Sequence, residues 1–223
     1  MVAVIDFQRI GLPALGSATS RVSREERRKH SLWKHRNLVL GVPAIFIYLI
    51  AEIGVANLFI NFAILPHIAG ITPAEAANYL VLMWGGMMVG RFGGAYILRS
   101  FPADKTLAAF ALFALVVMVG AATLDGMMAL WCLILVGLGH SIMFPTIFAM
   151  GIKGLGPLTE EGSGLLITAI AGGALVVAQG WLADAYGLQN SFWLTVLCEV
   201  YIIYYALWGS KPNAVVEEET VAA

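Results

Sequence analysis

Residues 137–156 read GLGHSIMFPTIFAMGIKGLG, and this run decides the class of the molecule. It is apolar enough to sit in lipid. It nonetheless carries His140, Ser141, a mid-run Pro145 and closely spaced glycines, and leads out through Lys153. Polar and helix-breaking residues are expensive at membrane depth, so where they occur they mark a working or packing site.

The surrounding chain agrees. Of its 223 residues 60% are hydrophobic and 12% charged, with a mean hydropathy of +0.83. Soluble domains carry roughly 45–50% apolar and about 25% charged residues, so the chain belongs to the membrane class. Its net charge of −1 hides an asymmetry: eight of the 13 Lys+Arg, from Arg9 to Arg36, precede Leu38. That basic run abuts a hydrophobic span, which argues against nucleic acid as a partner. Cys132 and Cys198 both lie inside apolar runs and imply neither a disulfide framework nor a metal site. The start MVAVIDFQRI has no long apolar core after a basic head, so no cleaved signal peptide is expected.

Six apolar runs follow the basic segment, each near the ~20 residues a transmembrane helix needs. The first covers Leu38 to about Pro66. The second opens at Thr72-Pro73-Ala74-Glu75, with Thr as N-cap, Pro at the first helical position and Glu at the third, and runs to about Leu98. The third follows Asp104, read as an N-cap, and ends near Leu124. The fourth runs from Met127 to Ile152. The fifth follows Thr159, again read as a cap, with Glu160 and Glu161 favourable at a helix N-terminus, and ends near Ala183. The sixth follows Asn190-Ser191 and stops near Trp208, before Gly209 and Pro212. Placing the basic segment in the cytoplasm puts Arg99, Lys105, Lys153 and Lys211 on the same side. The three opposite loops then hold no Lys or Arg, as the positive-inside rule requires. Six spans with both termini cytoplasmic is the expected topology. Shifting the chain by 87 residues lays Gly85, Gly86 and Gly93 on Gly172, Gly173 and Gly180. That offset of three helices suggests a 3+3 inverted repeat.

Ser23 and Glu26 form a weak capping-box pattern in the polar segment 13–37, which reads either as a short helix on an anionic membrane face or as a solvated linker.

Several motifs then resemble one family. SLWKHRNLVLG at 31–41, ANYL at Ala77–Leu80, GRFGG at Gly90–Gly94, FPTIFAMGIKGLG at Phe144–Gly156 and AGG at Ala171–Gly173 resemble the C-terminal half of L-fucose permease-like sugar transporters. These form the fucose–galactose–proton symporter branch of the major facilitator superfamily. The resemblance spans about residues 31–210, with PTIF-x-x-GIK-x-LG its most specific element. It implies an all-α six-helix transmembrane bundle equivalent to the seventh to twelfth helices of a twelve-helix transporter. It also implies proton-coupled transport of a hexose or deoxyhexose by alternating access. In that family substrate is held between two such bundles, and the main proton-handling carboxylates lie in the N-terminal one. The expected organisation is therefore 1–37 as cytoplasmic linker, with 1–12 the end of a preceding helix; 38–210 as the bundle; and 211–223 as a disordered cytoplasmic tail. The chain is expected in a cell inner membrane as one half of a transporter, whether a truncated product or a split subunit. Its expected partners are sugar, protons, lipid, and an N-terminal six-helix half or a second copy of itself. The competing reading is a non-transporting membrane remnant, sensor or scaffold. An enzyme is not expected, because no HExxH, GxSxG or paired catalytic carboxylates occur.

Within this frame the candidate substrate-binding residues are Glu52, Asn57, Asn61, His140 and Phe144. Glu52 lies mid-span, where a bare carboxylate costs roughly 2.5–3.5 kcal/mol on insertion scales. It reads as a sugar-hydroxyl or proton-coupling group, or else as a neutral carboxyl bonded to another helix. Asn57 and Asn61 share one helix face and offer donors and acceptors for paired hydroxyls; interhelical hydrogen bonding is the alternative. Glu52 sits about 140° round the helix from Asn57, which a bend at Gly54 would relieve. His140 and Phe144, also four apart, suit hydrogen bonding and stacking on a sugar, or plain packing. Arg91 reads as a gating or structural ion pair rather than a substrate contact. Glu199 reads equally as a helix–helix hydrogen bond or a proton site. No second His or Cys stands at ligand spacing, so no metal or other cofactor is expected. Pro145 removes a helical hydrogen bond and predicts a kink.

Overall fold

The computed structural model describes residues 31–211, and from Leu32 onward they form one unit. The expectations for residues 1–30 and 212–223, including the Ser23/Glu26 cap and the end of a preceding helix, lie outside the described residues.

Among the described residues six helical spans are long and apolar enough to cross a membrane. The first is α1, Arg36–Ala63. The second, α2, covers Pro73–Ile97, and the third, α3, covers Ala103–Thr123. The fourth is divided into α4, Gly126–His140, and α5, Met143–Ile152. The fifth comprises α6, Thr159–Thr168, a 3₁₀ stretch Ala169–Leu175, and α7, Val176–Tyr186. The sixth is α8, Leu188–Tyr204, closing in a π-helical turn Tyr205–Gly209.

The start of α2 is as expected. Thr72 accepts from the Glu75 N–H while the Glu75 carboxylate accepts from the Thr72 N–H, a complete capping box with Pro73 at the first position. Three other starts differ. Asp104 is not a cap: α3 begins at Ala103, and Asp104 lies in its first turn, where a negative charge suits the exposed N–H groups. Thr159 is the first residue of α6 and donates backward to the Gly156 carbonyl at 2.7 Å. The sixth span starts at Leu188, where Gly187 at φ +92° allows a turn tighter than the polar pair Asn190-Ser191 suggested.

α1 is the centre of the bundle and packs on the fourth, fifth and sixth spans, while α3 packs on the fourth and sixth and α2 on the fourth. Under an offset of three helices the first–fifth contact maps onto the fourth–second, and the first–sixth onto the fourth–third. The fifth and sixth spans also pack together, whereas the second and third touch lightly at most. The glycine coincidences do not share this symmetry. Gly172 is pressed against the Phe46 backbone, but a side chain at its counterpart Gly85 would meet nothing within 4 Å.

The core has two apolar layers. One contains Tyr48, Leu107, Met143, Ile147, Leu166 and Tyr205; the other contains Phe59, Phe62, Met118, Leu130, Leu133 and Phe192. The spans are tied end to end by side chains that donate to backbone carbonyls of other spans. Asn37, fully buried near the start of α1, donates its amide to the carbonyls of Met150, Gly151 and Lys153 at 2.9, 3.2 and 2.8 Å, closing the C-terminus of α5. Tyr205 and Tyr201 of the sixth span donate back to the Asn37 and Leu40 carbonyls. At the opposite end Gln189 donates to the Ala121 and Leu124 carbonyls and closes α3.

Candidate functional site

Between the two apolar layers lies a polar waist. Along the fourth span Val136 belongs to one layer and Met143 to the other, and His140 falls between them. Along α8 the same is true of Val196, Glu199 and Ile202. The two polar residues meet: His140 Nε2 lies 2.7 Å from Glu199 Oε1, with the side chains 2% and 0% exposed. The second oxygen, Oε2, is buried with no hydrogen-bond partner. Removing one member of such a pair strands the other and typically costs about 3–5 kcal/mol. Of the two readings open for Glu199, the helix–helix contact is therefore observed.

The fourth span breaks beside this pair. Pro145 has no N–H for the Ser141 carbonyl four residues earlier, and the helix is interrupted at Ser141–Ile142. The kink expected at Pro145 thus falls one turn upstream of it. Two carbonyls at the break accept from side chains of other spans. Arg91 Nε of α2 donates to the Ser141 carbonyl at 3.3 Å, and the Tyr48 hydroxyl of α1 donates to the His140 carbonyl at 3.2 Å. Arg91 also reaches the Met87 sulfur. Its contacts among the described residues are thus a carbonyl and a thioether rather than the carboxylate of the expected ion pair.

Tyr48 joins these groups to the candidate residues of α1. It is 1% exposed and stands edge-on to the His140 ring at 5.7 Å between centroids, and tilted to Phe144 at 6.5 Å. Glu52 follows it by one turn along α1. Glu52 is half-buried. Phe144 is also half-buried and stacks with Phe148 at 6.3 Å, 19° from parallel. The structure thus brings Glu52, His140 and Phe144 together around Tyr48. Asn57 and Asn61 lie apart from them on the exposed side of α1, where Asn57 donates to its own Ile53 carbonyl.

Gly54 does not bend α1, which is continuous from Arg36 to Ala63. It provides a niche instead: a side chain there would collide with the Gln179 amide, whose Cδ lies 2.8 Å from the position of the missing Cβ. Gln179, fully buried on the fifth span, donates to Thr195 Oγ1 at 3.2 Å, one turn before Glu199 on α8. Tyr48, Gln179 and Thr195 were not picked out by sequence reasoning. The available signal was a carboxamide inside the apolar run AGGALVVAQG, where a polar group without a partner is costly. A separate groove of about 390 Å³, lined by residues such as Gly93, Gly94, Ala109 and Phe110, lies between the second and third spans and is almost wholly apolar. Among the described residues no group of His, Cys, Asp and Glu could hold a metal.

No protein-family model matches the chain. It is 42% identical over 187 residues to a glucose/galactose transporter of Brucella abortus, covering 83% of this chain and 45% of that one. It is 36% identical over 194 residues to a putative glucose/galactose transporter of Helicobacter pylori (84% and 47%). It is 33% identical over 198 residues to the L-fucose-proton symporter of Escherichia coli (88% and 43%). The chain therefore spans about half the length of the curated relatives it matches. Among solved structures, the major facilitator superfamily transporter FucP in its outward conformation aligns with a TM-score of 0.76 at 33% identity, over 88% of this chain and 46% of that one. A second structure of the Escherichia coli fucose:proton symporter aligns with a TM-score of 0.80 at 32% identity (88% and 48%).

Proposed function

Because this integral, multi-pass bundle is homologous in fold and sequence to one half of major facilitator superfamily sugar transporters, we propose that it is the C-terminal half of a sugar transporter. It carries a hexose or deoxyhexose by alternating access, coupled to protons. The observation that carries the proposal is the 42% identity to a glucose/galactose transporter, sustained over 83% of the chain. The arrangement of the waist supports it. Phe144 and Phe148 present stacked rings of the kind that pack on the apolar face of a sugar ring, and the half-buried Glu52 carboxyl, one turn from the Tyr48 that faces Phe144, is there to accept from hydroxyls. Asn57 and Asn61 offer substrate further amides from the exposed side of α1, apart from the Glu52 group. His140, with 2% of its surface exposed, acts from behind that wall by placing Tyr48, and Arg91 holds the break in the fourth span.

The substrate in this scheme lies between two bundles. The partner is an N-terminal six-helix half, or a second copy of this chain. Both termini of the present chain are cytoplasmic, in a bacterial inner membrane, as the basic loops support.

The test is uptake of labelled sugar into vesicles. The chain alone is expected to give none, and co-expression with an N-terminal six-helix half from a relative is expected to restore it. Uptake by the chain alone would refute the need for a second bundle. Sugar binding that stays absent with every such half favours the other reading, a membrane sensor or scaffold.

A further inference from the structure

We propose that His140 and Glu199 together form a one-proton store at the waist of the bundle. The proposal takes its use from the proton-coupled reading above, but its existence does not depend on that reading. The two side chains come from the fourth and sixth spans, touch at 2.7 Å and are shut off from solvent at 2% and 0% exposure. With no proton on the pair its net charge is −1, with one it is zero, and with two it is +1. Only the one-proton state buries no net charge, whether that proton rides on Nε2 or on Oε1, and an uncompensated buried charge is strongly disfavoured. His140 is the last residue of α4.

Among the described residues four buried side-chain oxygens have no hydrogen-bond partner, on Asn37, Thr146, Gln179 and Glu199, and Glu199 Oε2 is the one that belongs to an ionisable group. A purely structural ion pair needs its remaining lone pairs satisfied to offset desolvation. Here one carboxylate oxygen is left open in the apolar core, the place where an entering water would bind. The groups that face the pair are few. The first span brings Tyr48, edge-on to the His140 ring, with Glu52 one turn further along α1, and the second brings Arg91, bonded to the Ser141 carbonyl next to His140. The fifth brings the uncharged Gln179, bonded to Thr195. The sixth has Cys198 as the chain neighbour of Glu199. The third carries Asp104 and Lys105 in its first turn and no other titratable residue. Loading takes a proton from water onto the anionic pair. Unloading returns it to water and leaves the carboxylate charged.

The experiment titrates the 223-residue chain in lipid vesicles without sugar. It follows the imidazole by ¹⁵N resonance and the carboxyl by infrared absorption, and signals are assigned by their loss in His140→Gln and Glu199→Gln. A single step is expected between about pH 5 and 9, in which His140 and Glu199 signals change with a common midpoint. Glu199→Gln is expected to lower the His140 midpoint by at least about one pH unit, a tenfold loss of proton affinity. Glu199→Asp, which keeps the carboxyl, is expected to retain the joint step, and serves if the amide variant does not fold. The proposal is overturned if neither signal changes over that range, or if the two titrate independently and Glu199→Gln leaves His140 unmoved. Because no sugar is present, either result stands apart from whether the chain transports one.

Discussion

The adjacent glycines at 172 and 173 should respond to alanine with opposite signs. A Cβ at Gly172 would stand 2.8 Å from both the carbonyl carbon and the Cα of Phe46, with the Phe46 oxygen closer still. All three are backbone atoms of α1, so no rotamer change relieves the clash. Ordinary contacts begin at 3.4 Å, so the first and fifth spans must part by at least 0.6 Å at a crossing close to the waist. Overpacking of this kind costs about 1–3 kcal/mol. Gly173 is different: a Cβ there would first meet Ile53 Cγ1 at 3.6 Å, an ordinary contact, and its φ is not positive. Alanine at 173 removes backbone freedom from the unfolded chain and is worth roughly 0.4–1 kcal/mol of stabilisation. At about 2–4 °C per kcal/mol for a chain of this size, Gly172→Ala should lower the thermal midpoint in detergent by roughly 2–12 °C. Gly173→Ala should raise it by roughly 1–4 °C. The readout is monodisperse protein remaining after heating, measured by size exclusion. A Gly172→Ala midpoint at or above the parent would refute the close crossing and the placement of α1 built on it.

Asn37→Ala removes the amide that closes the C-terminus of α5, leaving three carbonyls without that donor, and should cost about 1–3 kcal/mol by the same assay. Pro145→Ala restores the N–H that the Ser141 carbonyl lacks and puts it in competition with Arg91. It should stabilise the bundle by about 1 kcal/mol while slowing sugar uptake in the reassembled transporter, read by melting and by vesicle flux. Glu52→Gln should weaken sugar binding by roughly tenfold, as expected for loss of a charge-assisted hydrogen bond; unchanged affinity and unchanged pH dependence would remove Glu52 from the site. Phe144→Ala should weaken sugar binding comparably with little effect on folding, since the ring is only half-buried, and isothermal titration with the reassembled transporter checks it.

The six spans were legible in the sequence because length and apolarity report directly on lipid. The Thr72–Glu75 box was legible because a cap is decided within four residues. Pro145 gave the break in the fourth span for the same local reason. The pairings between spans were not legible. Nothing near Glu199 in the chain indicates His140, 59 residues away, and nothing near Gly54 indicates Gln179. Gly54 was read as a bend because a glycine in a helix is locally a weakness, whereas its role is set by the amide that fills its place. The fifth span read as one helix, although its centre is a 3₁₀ stretch that brings Gly172 onto the Phe46 backbone. Arg91 invited a carboxylate partner, but the acceptor it uses is a backbone carbonyl freed by a proline on another span, and no residue-type pattern advertises such an acceptor.

The bond from Arg91 to Ser141 has a consequence for how the chain is made. Arg91 sits in the second span, and the carbonyl that receives it lies 50 residues later. At about 5–20 residues per second, a ribosome takes roughly 3–10 s to deliver that acceptor after Arg91 has been synthesised. For that interval the second span, the least apolar of the six, carries a guanidinium with no fourth span to meet it. It must stay beside the insertion machinery or hold the charge at the membrane surface. Final seating of the second span is therefore an event of the fourth span's arrival, and insertion of this bundle follows an order of assembly as well as an order of hydrophobicity.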